Sequence, residues 1–379
     1  MKRIAVIWSR FGPYHLARLR GAAEAGRPQG VELFGVEVAA VDRQYAWAKA
    51  GGADGFRRVT VFPDENYHDK SPRQIRAGIR QVLDRIDPAV VAINGWSVAE
   101  ARSAMRWCLS RKRRSVVMSE TKLDDHPRVA WREFVKRLAV RRFDAALVGG
   151  RAQAEYLTAL GFPRERIQLG YDAVDNRFFS CGAARARVNR KDERAARGLP
   201  DRFFFACTRL LVRKNIDGLL RAYAAYRAQS THPVWGLVIA GSGEEEEHLR
   251  ATEKGLRLQG VVWPGFLQYS DLPVYFGLAG AFVHPAKAEA WGLVVNEAAA
   301  SGAPLLISRT VGASHELVHE GENGFLFDPE NEGELAGLLL KVAESTAEHR
   351  EAMGLNAQRA AFAWGPERFG VGLMVAAGF

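Results

Sequence analysis

The chain has 379 residues, 47% of them hydrophobic and 25% charged, which excludes a disordered or collagen-like polypeptide and provides for two hydrophobic cores. A formal net charge of +10 calls for an acidic partner, substrate or surface. No eighteen consecutive apolar residues occur, which excludes a membrane-spanning helix, and the widely spaced Cys108, Cys181 and Cys207 form neither a disulfide framework nor a metal cluster.

The N-terminal run Ile4–Trp8 stops at Arg10, too short for the apolar region of a signal peptide, so it reads as a first strand. Further strands are expected at Val31–Val38, Val59–Phe62, Val90–Asn94, Ser115–Met118 and Ala145–Val148, with helices such as Ser71–Ile86 and Val98–Ser110 between them. The pattern then restarts. Strands are expected at Phe203–Cys207, Trp235–Ala240, Val261–Trp263, Gly280–His284 and Pro304–Ser308, and helices at Ile216–Gln229, Glu244–Leu258 and Asn296–Ser301. Alternation of this kind belongs to an α/β chain with two Rossmann-like, doubly wound parallel sheets. The charged segment Cys181–Pro200, a linker or a surface helix, marks the boundary. Residues 1–178, with a returning C-terminal helix at about 365–379, form an N-terminal domain, 179–200 a linker, and 201–364 a C-terminal domain.

Charge is concentrated between Arg102 and Arg142, where thirteen Lys or Arg residues face four acids. Within it, Trp131, Phe134, Val135 and Leu138 repeat at helical spacing, with Arg132, Lys136, Arg137 and Arg141 largely off that face. Such a helix packs its apolar face on a core behind a solvated basic back. An anionic lipid surface or nucleic acid are the other readings, and no nucleic-acid-binding motif accompanies the charge.

Three motifs in the second half carry chemistry. Phe203–Cys207 leads into Thr208-Arg209, then Arg213-Lys214-Asn215, then a helix, so Arg209 and Lys214 lie at the C-terminal end of a strand. There they either hold a diphosphate or form surface ion pairs. Gly241-Ser242-Gly243 follows the strand ending at Ala240, but the acids Glu244–Glu247 would repel a phosphate, so Gly241 lines a ligand crevice at most. In Glu289–Glu297 two acids flank Trp291-Gly292-Leu293-Val294. If the helix proper starts near Val295, the amides of Gly292, Leu293 and Val294 are free for phosphate oxygens. Glu289 and Glu297 then accept from sugar hydroxyls, or Glu297 merely complements the helix dipole. Trp291 would shape the sugar pocket.

Read in order, these pieces resemble the family-4 retaining glycosyltransferases of the GT-B fold (glycosyl transferases group 1). The resemblance is carried by Thr208-Arg209-Leu210, Arg213-Lys214-Asn215, Ala240-Gly241-Ser242-Gly243, Pro264-Gly265-Phe266, Glu289 and Glu297, and Gly302-Ala303-Pro304. It continues through Gly312–Val318 and Gly321–Pro329, and is looser before Gly161. Gly161-Phe162-Pro163, Tyr171–Asp175 and Trp364–Phe369 resemble the family's crossings between its domains.

The resemblance implies two Rossmann-like domains facing each other across a cleft, acceptor-binding and donor-binding in that order. Arg209 and Lys214 match the pair that neutralises the donor diphosphate, Glu297 the acid on the ribose, and Glu289 the acid at the donor sugar. Gly292, Leu293 and Val294 match the phosphate-binding amides. It implies a hexosyltransferase that moves a sugar from a nucleoside-diphosphate sugar to an acceptor hydroxyl with retention, in polysaccharide, glycolipid or glycoside biosynthesis. No metal or other cofactor is expected, and no nucleic acid. The basic N-terminal half favours a lipid-linked or anionic acceptor and a cytoplasmic enzyme with peripheral contact at the inner membrane face. The first loop departs from the family pattern, with Gly12 as its one glycine and Pro13 suited to a helix start. The acceptor-side histidine has no clean match; Glu120 and His126 are the candidates. A sugar-nucleotide epimerase and a non-catalytic basic binding protein are the rival readings.

Overall fold

The computed structural model of the chain describes residues 2–41 and 55–379. Its first sheet contains β1 (Lys2–Trp8), β2 (Val31–Val41), β3 (Arg57–Asn66), β4 (Val90–Asn94), β5 (Arg114–Ser119), β6 (Ala145–Val148) and β7 (Ile167–Leu169). The second contains β8 (Phe203–Cys207), β9 (Gly236–Ala240), β10 (Val261–Gly265), β11 (Ala281–His284), β12 (Leu305–Ser308) and β13 (Gly324–Phe327). The spatial orders are β3-β2-β1-β4-β5-β6-β7 and β10-β9-β8-β11-β12-β13, with every neighbouring pair parallel. Both sheets are doubly wound, as expected from the alternation, and each reverses direction once, between β1 and β4 and between β8 and β11.

The central strands are apolar on both faces because helices cover both: Ile4, Ala5, Val6 and Ile7 are all fully buried. The helix Pro72–Ile86 shows how the crossovers are specified. Ser71 caps it in a box with Gln74, and Ile75, Ile79, Val82, Leu83 and Ile86 form its buried stripe. The two shortest strands at the sheet edges, β7 and β13, escape the sequence pattern, because three or four residues are too few to show a period.

The chain divides into unit 1, Met1–Asp175 with Trp364–Phe379, and unit 2, Asn176–Ala363. Of the two readings of the charged segment, linker or surface helix, the second holds: it is helical at Asn176–Val188 and Arg190–Arg197, and it falls within unit 2, so the boundary lies at Asp175/Asn176. Its apolar content is low because the first helix buries mainly small residues, Gly182, Ala183 and Ala186.

A second correction concerns the basic helix, which runs Ala130–Val140. Its apolar face does not meet the core: Trp131 is 65% exposed, Phe134 61%, Val135 54% and Leu138 47%. The helix is seated by its other side. Glu133 accepts from the Tyr156 hydroxyl at 2.6 Å, Lys136 Nζ reaches that hydroxyl at 3.1 Å and Glu133 at 2.7 Å, and Val140 is buried. Polar bonds to one buried tyrosine thus orient the helix against its hydrophobic pattern.

Unit 1 closes through its two terminal helices, Pro13–Gly26 and Pro366–Ala377. They meet at glycines: a Cβ on Gly21 would lie 2.1 Å from the Pro366 carbonyl oxygen, and one on Gly370 2.3 Å from the Gly21 carbonyl oxygen. Both sites are closed by backbone, which cannot swing aside. Gly21→Ala and Gly370→Ala are each expected to destabilise unit 1 by about 1–3 kcal/mol, the usual range for overpacking. Thermal denaturation should show a lowered transition for unit 1; an unchanged one would contradict the close approach.

Candidate functional site

The reversal in unit 2 leaves a gap at the C-terminal ends of β8 and β11, and the loops from these two strands build the site. After β8, Thr208 and Arg209 lead to a single turn of 3-10 helix, Val212–Lys214, and then to the helix Ile216–Gln229. Asn215 joins them in the left-handed region at φ 56°, where asparagine is tolerated, and its Nδ2 donates to the Pro329 carbonyl at 2.8 Å. That anchor fixes Lys214 immediately before it. After β11, residues 286–292 are tied down on both sides. The Lys287 amide donates to the Arg213 carbonyl at 2.9 Å, and the Gly312 and Ala313 amides donate to the carbonyls of Glu289 and Trp291 at 3.2 and 2.9 Å.

These ties bring four charged or polar side chains together. The buried Lys214 Nζ is bonded to Glu289 Oε2, Arg213 Nη1 lies 3.8 Å from Glu289 Oε1, and His284 Nε2 lies 3.4 Å from Glu289 Oε2. Burial, then the charges of Arg213 and Arg209, pushes the Lys214 ammonium down to about 7, with the Glu289 carboxylate as its counter-charge. His284 is buried at the end of β11 and held neutral, well below its usual range, by burial and by Lys214 and Arg213. Arg209 is exposed and its side chain makes no hydrogen bond or ion pair among the described residues, although its charge is felt at Lys214.

Gly292 is the N-cap of the helix Leu293–Ala300, at φ 94°. A Cβ there would come within 3.2 Å of Glu289 Cγ and 3.1 Å of Val311 Cγ1, so both the left-handed backbone and the close approach require glycine. The helix begins two residues earlier than expected. The Gly292, Leu293 and Val294 amides find no acceptor among the described residues and are half-buried, in keeping with first-turn donors. Glu297 lies buried one turn further on; burial, then the charge of Glu297, raises the Cys207 thiol at the end of β8.

The remaining candidates lie elsewhere or play other parts. Gly241, at φ 135°, is required because a Cβ would meet the Thr208 carbonyl oxygen at 1.8 Å, and its amide donates to the Gly265 carbonyl at 2.8 Å. Its glycine therefore serves loop-to-loop packing. Trp291 is wholly buried and donates from Nε1 to Asn296 at 2.8 Å, so it braces the loop from beneath and offers no ring to a ligand. Gly12 belongs to unit 1, where its amide donates to His15 Nδ1 at 2.9 Å at the start of the helix Pro13–Gly26. Beside it, the buried Glu100 accepts from Ser9 at 2.5 Å, Asn94 at 3.2 Å and Tyr67 at 3.1 Å. Glu120 directly follows β5, and His126 stands exposed on the loop beyond it. The sequence reading overlooked His284 and Arg213 as members of the unit 2 cluster; the position of His284, last in its strand and directly before Pro285, was the available signal.

Residues 189–360 match the family model described as glycosyl transferases group 1. O-antigen chain mannosyltransferase B of Escherichia coli is 33% identical over 156 residues, spanning 40% of this chain and 40% of that relative. The match spans 36% and 40% of the length of the first two curated relatives. Sucrose-phosphate synthase of Thermosynechococcus elongatus superposes with a TM-score of 0.72 at 17% identity, over 98% of this chain and 97% of that one. HepE of Anabaena, in complex with UDP and glucose, gives 0.71 at 17%, over 99% and 98%. Residues 189–360 are thus similar to the glycosyl transferases group 1 family, and the whole chain shares a two-domain α/β fold of GT-B type.

Proposed function

We propose that the protein is a retaining glycosyltransferase that uses a nucleoside-diphosphate sugar as donor and an acceptor hydroxyl as nucleophile, without a metal ion. The observation that carries the reading is the convergence, at the strand reversal of unit 2, of Arg209, Lys214 and three unpartnered amides with the carboxylate Glu289. Cations and helix-start amides suit a diphosphate; a carboxylate suits sugar hydroxyls. HepE with UDP and glucose, and relatives that are mannosyltransferases, support the donor class.

In this reading Arg209, Lys214 and the amides of Gly292, Leu293 and Val294 receive the negative charge that develops on the leaving diphosphate as its bond to the sugar breaks. The acceptor oxygen bonds to the anomeric carbon on the face the phosphate leaves, and its proton passes to a departing phosphoryl oxygen. Retention then needs no protein nucleophile. Glu289 holds the donor sugar and Glu297 the ribose. Before donor binds, Glu289 occupies Lys214; an arriving diphosphate takes over that ammonium and frees the carboxylate for the sugar.

The acceptor side of the proposal is a lipid-linked or anionic acceptor met at an anionic membrane surface. The helix Ala130–Val140 supports it. Its outward apolar face is continued by the exposed Val129, and Arg132, whose guanidinium lies 5.4 Å from the Trp131 ring centroid, stands beside it. Apolar side chains bordered by cations fit the interface of an anionic bilayer.

Arg209→Ala, Lys214→Ala and Glu289→Ala are each expected to lower transfer roughly a hundredfold or more, the scale of one lost transition-state contact. Nucleotide release from a panel of nucleotide sugars, with and without acceptors, is the measurement; near-normal turnover in all three removes the mechanism. Nucleotide binding should also depend on pH. Lys214 titrates near 7 in the free protein and higher beside a diphosphate, so binding takes up a proton above pH 7. Affinity for UDP or GDP should fall by up to about tenfold per unit as pH rises from 7 to 9, and Lys214→Arg should flatten that slope. Calorimetry across this range decides, and a flat profile in the native protein would exclude Lys214 as a phosphate ligand. Finally, the native chain should sediment with vesicles containing anionic phospholipid, and Trp131→Ser with Phe134→Ser should release it. Absence of the native chain from the vesicle pellet would remove the membrane part.

A further inference from the structure

The sheet of unit 2 has another concave region at its opposite edge, where the strands begin. A cavity of about 620 Å³ opens there, lined by Arg187, Arg190, Arg194, Arg202, Arg350 and Trp235. Asp201 and Arg202 lead into β8, Gly280 into β11 and Pro304 into β12, and all of them line it. The full length of the strands separates it from Arg209 and Glu289.

Two of the five arginines have structural partners. Arg187 Nη2 donates to the carbonyls of Ser301 and Gly302 at 2.5 and 3.1 Å, closing the C-terminus of the helix Leu293–Ala300. Arg350 donates to the Ser345 carbonyl beyond the helix Glu332–Glu344, and its guanidinium lies 5.0 Å from the Trp235 ring centroid. The other three are barely compensated. Arg194 has one distant ion pair, 3.7 Å to the fully exposed Asp201, and its Nε is buried with no partner. Arg190 and Arg202 make no side-chain hydrogen bond or ion pair among the described residues. The acids in the lining are Asp201 and Glu351, two carboxylates against five guanidiniums.

This crowding has a cost that the fold leaves standing. Burial, then the neighbouring arginines Arg190 and Arg202, disfavours the charged forms of Arg187, Arg194 and Arg350. A guanidinium does not escape by losing its proton in the physiological range, so only a counter-anion relieves the repulsion. Ala347, first residue of the helix Ala347–Ala363, also faces the cavity and adds the positive end of a helix dipole. Arg190 and Arg202 are exposed, while Arg187 and Arg194 are partly buried. Here they surround a concavity whose low-dielectric walls concentrate their field, and whose volume is that of a small-molecule pocket.

We propose that this cavity binds a small soluble anion carrying two or more phosphoryl groups. Guanidinium forks match phosphate oxygens in pairs, and two phosphomonoesters at about −1.5 to −2 each balance the local excess of three positive charges. The arginines come from three separate chain segments, Arg190 and Arg194, Arg202, and Arg350, a spread that favours an anion with more than one phosphoryl group.

The test is calorimetry on the full chain with inorganic pyrophosphate, at fixed ionic strength, in an Arg209→Ala/Lys214→Ala background that disables the cations at the other edge of the sheet. One site should remain, with inorganic phosphate binding at least tenfold more weakly and sulfate at equal ionic strength leaving the isotherm unchanged. Adding Arg190→Gln and Arg202→Gln should weaken pyrophosphate at least tenfold while the melting temperature without ligand stays level or rises, because neither side chain has a partner to lose. Equal affinity with and without Arg190 and Arg202 overturns the proposal. So does disappearance of all pyrophosphate binding in the Arg209→Ala/Lys214→Ala background, which leaves a single anion site at the other edge. Loss of binding to anionic-phospholipid vesicles in Arg190→Gln/Arg202→Gln would assign the cavity to a lipid headgroup and likewise overturn the soluble anion. The proposal is independent of the donor reading: its failure leaves nucleotide binding at Arg209 and Lys214 intact.

Discussion

β8 and β11 lie side by side, but the chain leaves β8 toward β9 and leaves β11 toward β12, so the loops beyond their C-terminal ends part in opposite directions. The backbone cannot fill the space between them, and side chains must. In unit 2 this space receives an ammonium and a carboxylate, Lys214 and Glu289, each from one of the diverging loops. A lone buried ammonium would be costly, and the paired acid compensates for it. The pair therefore does two things at once: it joins the loops across the reversal, and it keeps a charged group ready where water is scarce. Arg213, His284 and the amides from Gly292 to Val294 are positioned by the same two loops.

Much of this was readable from residues alone, and the failures have physical reasons. Arg209, Lys214, Glu289 and Gly292 could be placed because a buried-type strand has a definite end, and whatever follows it lies at the sheet's edge. His284 was missed because it counts as part of the strand itself, yet its ring reaches forward to Glu289. Gly241 was read as lining a crevice at most, and the close neighbour demanding a glycine there is the Thr208 carbonyl of its own sheet. Sequence shows that a side chain is missing, not which atom required it. Trp291 illustrates the same limit for aromatics: a ring next to a site reads as lining until its burial is known.

The helix Ala130–Val140 is the most instructive misreading. Helical periodicity correctly gave its apolar stripe, but periodicity has no sign: it identifies a face without saying whether core or solvent lies beyond it. Orientation came from long-range polar bonds, Glu133 and Lys136 to Tyr156, which local patterns do not contain. The charged segment Cys181–Pro200 left linker and surface helix both open for a related reason. The first of its helices buries alanine and glycine, and arginines from both helices line a cavity. The surplus positive charge of the chain is thus organised in patches, each with its own geometry.

The glycine contact between the helices Pro13–Gly26 and Pro366–Ala377 also bears on how the molecule is made. Unit 2 is threaded, in chain order, through the middle of unit 1. On the ribosome, the first helix must wait for its partner while all of Asn176–Ala363 is translated, on the order of ten seconds or more at about 5–20 residues per second. During that interval the inner unit can fold to completion, whereas the outer one keeps an uncovered apolar flank around Leu16, Leu19 and Ala22. The nascent protein matures from the inside outward, and its chaperone demand falls on the half that was synthesised first.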